Sequence, residues 1–225
     1  MASPTTMASR RPGGPDAARP WRRDAAVAGS GLGLLVVSWL LLAGPATVPA
    51  WEADLFTAAN GLPDALRWPL WPVMQLGTFW MYVVGGVGVY ALTRRGRAGA
   101  AAAVGVLLAW LGAQLVKATV ERGRPAVLLD GVAVREAERD TYGYASGHSA
   151  VAFALATVLT VVLPGRWRWV PYPVAATVAF TRVYFGAHLP LDVVGGAGVG
   201  LMCGVAAVAA LGADRAPDPP GPSER

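Results

Sequence analysis

Thr181-Arg182-Val183-Tyr184-Phe185-Gly186-Ala187-His188-Leu189-Pro190-Leu191-Asp192 sets an arginine, a histidine and an aspartate between two long apolar runs. Ionisable side chains in that setting are costly and mark function. With a helix after Pro190, His188 and Asp192 fall four residues apart on one face. The carboxylate is then placed to hold one imidazole nitrogen and leave the other free to attack. Working outward, the second histidine, His148, lies in Ser146-Gly147-His148-Ser149, just before another apolar run. Lys117, the only lysine, precedes Arg124-Pro125 at the end of a third. The scarce cationic and titratable side chains thus fall at the ends of hydrophobic segments.

Composition sets the class. Of 225 residues, 54% are hydrophobic and 15% charged, which is a membrane protein's balance and not that of a soluble domain. The net charge of +5 comes from arginines that flank apolar runs instead of forming a stripe, which points to orientation in a bilayer and away from nucleic acid. Cys203 stands alone within an apolar stretch, so there is no intramolecular disulfide framework and no thiolate metal cluster.

The expected fold is all-α, a polytopic bundle of six transmembrane helices. Residues 1–24, rich in Pro, Ala, Gly and Arg, read as a disordered cytoplasmic tail. The membrane domain covers 25–211, with spans at about 25–48, 69–92, 98–117, 147–163, 170–184 and 189–211. Each is compared with the roughly 20 residues that a hydrocarbon core demands. Residues 212–225 form a second disordered tail. A cleaved secretory signal is the competing reading of the first span, but its apolar part exceeds the usual 7 to 15 residues. Residues 49–68 read as a short interfacial loop anchored by Trp51 and Trp68, and 118–145 as the longest polar loop. Within it, Arg122, Arg135, Glu136, Glu138, Arg139 and Asp140 read as a solvated stretch that covers the site or touches a head group.

Six spans put both termini on one side. The N-terminal arginines, Arg94 to Arg97 and Arg166 to Arg168 fall together, and the positive-inside rule makes that side cytoplasmic. Lys117, Arg124, Ser146, His148, Arg182, His188 and Asp192 then all meet at the extracytoplasmic interface of a multi-pass cell-membrane protein. Three cations with few carboxylates make a cage for a multiply charged oxyanion, phosphate above all. Ser146 suits the N-cap of the fourth span and Gly147 permits close backbone approach, adding helix-start amides to the anion site. Two histidines flanking a bound phosphate suit a covalent mechanism, with His188 attacking phosphorus and His148 protonating the departing oxygen.

Lys117-x6-Arg124-Pro125, Ser146-Gly147-His148 and Arg182-x5-His188-x3-Asp192 together resemble the three-part signature of the type 2 phosphatidic acid phosphatase superfamily, the lipid phosphate phosphatases. The motifs span residues 117–192 and the six-span layout extends the likeness over 25–211. The resemblance implies a metal-independent phosphatase without a cofactor. It implies a phosphohistidine on His188, His148 as acid and base, and Lys117, Arg124, Ser146, Gly147 and Arg182 cradling the phosphate. Two positions depart from the pattern: Ala145 where the family has proline, and Thr181 where it has serine. Neither deletes a chemical role. The substrates implied are lipid phosphates among membrane lipids: phosphatidic acid, phosphatidylglycerol phosphate or a polyprenyl pyrophosphate such as undecaprenyl pyrophosphate. An outward-facing site favours the last. Phosphotransfer to an alcohol through the same intermediate is the alternative. A transporter would instead place its polar residues near the midplane and in both halves of the chain, and the wider superfamily's vanadate haloperoxidases are larger and soluble.

Overall fold

The computed structural model describes residues 20–42, 47–136 and 141–213. Among these the chain forms nine α-helices: α1 (Pro20–Leu42), α2 (Ala50–Asn60), α3 (Arg67–Met74), α4 (Met81–Thr93), α5 (Gly96–Val120), α6 (Pro125–Leu128), α7 (Gly147–Val162), α8 (Pro171–Tyr184) and α9 (Pro190–Leu211). Short 3-10 turns lie at Asp64–Leu66, Gln75–Gly77 and Gly165–Trp169. Most of the tail read at 1–24, all but the first residues of the tail at 212–225, and Glu138, Arg139 and Asp140 lie outside the described residues.

Helix α9 runs through the middle, packed against α7, α1 and α5, while α4 lies on α5 and α8 on α7. Small residues make that position available. Gly196, Gly200 and Gly204 recur every fourth residue and bring α9 against the α7 backbone. A Cβ added at Gly196 would stand 2.3 Å from the Ser146 carbonyl oxygen, and one at Gly200 2.3 Å from that of Ala150. Such small-residue stripes let helices approach closely where lipid supplies no hydrophobic drive between them. Alanine and glycine accordingly line many of the helix contacts in the core. Leu32, Val37 and Leu40 of α1 are instead more than half exposed, and Arg182 is among the largest fully buried side chains. Polar inside and leucine outside is the inversion a bilayer requires.

Among the described residues, three helical stretches are long and apolar enough to cross a membrane: α1 from Arg23, Gly96–Leu128, and α9. The first helix, Pro20–Leu42, begins five residues before the expected span. The second expected span is not one straight helix. Asp64–Gly77 and Met81–Thr93 meet at a bend of 81°. Pro72 interrupts the α3 hydrogen-bond ladder, and Thr78 is extended. With the bent pair taken as one span the count is four. Helices α7 and α8 have 16 and 14 residues, about 24 and 21 Å long against a core of about 30 Å. Residues 49–68, expected as loop, contain α2, whose buried face is Glu52, Phe56 and Asn60.

Connectivity separates the two ends of the bundle. Lys117, Ser146, Arg182 and Pro190 sit at the ends of α5, α7, α8 and α9 that meet, and the links Arg94–Arg95 and Gly165–Trp169 lie at the other ends of α5, α7 and α8. There Arg23 of α1 donates to the Thr160 hydroxyl near the close of α7.

Candidate active site

The turn between α8 and α9 places His188. Phe185 N–H donates to the Thr181 carbonyl at 2.8 Å, and Ala187 and His188 N–H both donate to the Arg182 carbonyl, at 3.0 and 3.2 Å. The imidazole is thereby folded back over the Arg182 turn. Gly186, at φ 78°, makes the reversal, and a Cβ there would meet the Ala133 carbonyl oxygen at 2.6 Å. The helix starts only at Pro190, so His188 is not on its face. Asp192 reaches it another way: its Oδ2 accepts the Leu189 N–H at 2.9 Å and stands 3.5 Å from His188 Nδ1. That separation is longer than a good hydrogen bond and of the kind that tightens when substrate arrives.

On its other edge, His188 Nε2 lies 3.4 Å from Arg124 Nη1, which donates to the Ala187 carbonyl at 2.8 Å. A ring with Nδ1 toward a carboxylate and Nε2 toward cations carries its proton on Nδ1 and its lone pair on Nε2. His188 is 2% exposed. Burial first, then the charges of Arg182, Arg124, Lys117 and His148, hold its pKa well below the usual imidazole value.

Arg182 is buried completely, with Nη1 against Met74 Sδ at 2.9 Å and bonded to Glu136 at 2.6 Å. Lys117 and Arg124 are 7% exposed. Ser146 occupies the N-cap of α7 without using its hydroxyl as a cap. Its N–H donates to the Asp192 carbonyl at 2.9 Å, and its buried Oγ has no hydrogen-bond partner among the described residues. Gly147 and His148, both half-buried, form the first turn of α7 beside it. Thr181 turns its hydroxyl back onto the Val178 carbonyl, at 2.6 Å, and contributes nothing polar to the site.

Three residues read as solvated loop are structural here. Arg122 bridges two buried carboxylates, Glu52 and Asp192. Arg135 donates to Asp64 and to the carbonyls of Asn60, Leu62 and Tyr184, and its guanidinium lies 4.4 Å from the Tyr184 ring centre. Glu136 carries the Arg182 ion pair. The physical reason is common to all three: each meets an opposite charge or carbonyl brought in by a distant segment. Glu52 also went unread. Its one local signal is the four-residue spacing Glu52, Phe56, Asn60, the polar-lined face of a helix.

An all-helical bundle that exposes leucine, buries arginine and gathers three cations, two imidazoles and a carboxylate at one end is a membrane protein organised around a buried charged site. The chain belongs to the PAP2 superfamily, whose family model it matches over residues 98–215, more than half its length. It is 27% identical over 118 residues to an undecaprenyl-diphosphatase of Sulfolobus acidocaldarius, a match covering 52% of this chain and 56% of that protein. A lipid A 4'-phosphatase of Porphyromonas gingivalis is 33% identical over 64 residues, 28% of this chain and 27% of the other. The chain thus spans about half the length, or less, of these relatives. Among solved structures, LpxE of Aquifex aeolicus superposes with a TM-score of 0.62 at 25% identity, covering 72% of this chain and 96% of that one. A transmembrane PAP2-type phosphatidylglycerolphosphate phosphatase of Bacillus subtilis has the same fold, with a TM-score of 0.65 at 21% identity over 82% and 95% of the two chains.

Proposed function

We propose that the protein is an integral membrane phosphatase that hydrolyses a lipid phosphate monoester or pyrophosphate through a phosphohistidine on His188. One observation carries this reading. A buried imidazole turns Nε2 toward Arg124 and Nδ1 toward Asp192, within reach of the charges of Arg182 and Lys117. A neutral nitrogen held beside a cationic cage attacks a phosphorus that the cage has drawn in and polarised.

Arg124, Arg182 and Lys117 take the phosphate oxygens, with the Ser146 hydroxyl and the amides at the start of α7 completing the cradle with Gly147. His188 Nε2 forms the bond to phosphorus as the bond to the lipid oxygen breaks. His148 gives its proton to that leaving oxygen. Asp192 stabilises the charge that His188 acquires. Water then attacks the phosphohistidine, His148 takes the water's proton, and inorganic phosphate leaves. The cage supplies positive charge from its side chains, and metal independence is part of the proposal. Activity in the presence of a chelator tests that independence.

The six-span topology, with both termini cytoplasmic and the site extracytoplasmic, belongs to the same proposal. It is supported by the arginines of Arg94–Arg97 and Arg166–Arg168 at the end of the bundle opposite the site. Reporter fusions at 95 and at 167 that prove extracytoplasmic would overturn it. A polyprenyl pyrophosphate is the favoured substrate, in keeping with the undecaprenyl-diphosphatase relative. The deciding experiment measures phosphate release by the purified protein from undecaprenyl pyrophosphate, phosphatidic acid and phosphatidylglycerol phosphate, with and without glycerol. Transfer to glycerol in place of release makes the protein a phosphotransferase, and silence on all three lipids refutes the proposal.

A further inference from the structure

Asp192 and its neighbours make a network larger than the pair with His188. Arg122 Nη1 donates to Asp192 Oδ1 at 2.7 Å, while Nη1 and Nη2 of the same guanidinium donate to Glu52 Oε1 and Oε2 at 3.1 and 2.6 Å. Glu52 Oε1 also accepts the Leu191 N–H at 2.9 Å. The Glu52 and Asp192 side chains are completely buried, and that of Arg122 is 10% exposed. The three residues come from α2, from the link between α5 and α6, and from α9.

We infer that Arg122 and Glu52 are positioning residues that act on the reaction through Asp192, an inference resting on the assignment of His188 as nucleophile. A carboxylate held by one oxygen is free to rotate, whereas Asp192 is held by both. Arg122 fixes Oδ1 and the Leu189 amide fixes Oδ2, so the oxygen facing His188 Nδ1 has a single direction. Glu52 fixes Arg122 in turn with two charge-assisted bonds, and by taking the Leu191 amide it ties that guanidinium to the first turn of α9, the turn that carries Asp192. The charge balance requires the same arrangement. Glu52 and Asp192 are two buried carboxylates that share the Arg122 cation, and deleting it leaves them unneutralised beside the imidazole. None of these contacts reaches the phosphate cage, so the expected signature is in turnover and not in substrate binding.

The test uses the full-length protein in detergent micelles with short-chain phosphatidic acid or the best lipid of the panel above. Arg122→Gln and Glu52→Gln should lower kcat by about 10²-fold, the loss that a displacement of about 1 Å in a catalytic group produces, with KM nearly unchanged. Arg122→Lys should recover part of it by restoring the charge. In an Asp192→Asn background, Arg122→Gln should cost almost nothing further, because residues acting as a unit are non-additive. Losses that multiply in the double variant, or a rise in KM at constant kcat, overturn the inference. Should both glutamine variants fail to fold, Arg122→Lys decides: a lowered kcat at constant KM supports the role and a wild-type kcat overturns it. His188→Ala is measured alongside. Turnover surviving there refutes the nucleophile assignment, whereas multiplying losses with His188→Ala inactive refute only the role of Arg122 and Glu52.

Discussion

Adding one methyl group at Gly196 should separate the two halves of the site. Its Cβ would lie 2.3 Å from the Ser146 carbonyl oxygen and 3.0 Å from Ser149 Cβ. Ordinary contact begins at 3.4 Å, so relief demands that the start of α7 and α9 part by 3.4 − 2.3 = 1.1 Å. The atom in the way is backbone, which cannot rotate aside. Overpacking of this kind costs about 1–3 kcal/mol of stability. Its second effect is on catalysis, because Ser146 and His148 stand at the start of α7 while His188 lies in the turn before α9 and Asp192 in its first turn. A displacement near 1 Å between reacting groups costs about 10²-fold in rate. Gly204 provides the control. Its added Cβ would meet Thr157 Cβ at 2.6 Å, a similar insult, but eight residues or about 12 Å further along the helix. Thermal melting in detergent and kcat/KM for phosphate release should therefore diverge. Both alanine variants should melt earlier, and Gly196→Ala alone should lose about 10²-fold in activity. Equal activity losses in the two variants, or a fully active Gly196→Ala that melts early, would refute the reasoning.

The remaining expectations concern the charged groups. His188→Ala should abolish turnover and His148→Ala should come close, while Lys117→Ala should chiefly raise KM; phosphate release by these variants checks all three. Because its pKa is held well below the ordinary value, free His188 is neutral already under mildly acid conditions, so the acid limb of kcat/KM assigned to it should lie below about pH 6.5. The same depression means that the unfolded chain binds a proton the folded one refuses. His188 therefore withdraws stability as pH falls below about 6.5, an effect that melting of wild type against His188→Gln should resolve. Under the proposed mechanism the phosphate competes with the Glu136 carboxylate for Arg182. Glu136 is one-third exposed, but Arg182 is fully buried, so the pair is not a surface ion pair and holds its charge in a poorly screened setting. Glu136→Gln should accordingly lower KM at unchanged kcat, and a raised KM would contradict the competition.

The sequence by itself determined which residues would meet at the end of the bundle. Lys117, Ser146, Arg182 and His188 stand at the borders of apolar runs, and a bilayer tolerates such groups only where a helix ends. The helical starts at Gly147 and Pro190 were legible from local signals, a serine at the N-cap position in one case, although its hydroxyl makes no cap bond, and a proline at the first turn in the other. Tertiary structure alone decided which acid answers which cation. Glu52 on Arg122, Asp64 on Arg135 and Glu136 on Arg182 join residues 70, 71 and 46 positions apart, and no periodicity carries that information. It also took the imidazole of His188 off the helix face and set Asp192 toward it from the helix start. A charged side chain's partner inside a membrane protein is fixed by what the packed helices leave within reach, because an unpaired charge there is too costly to keep.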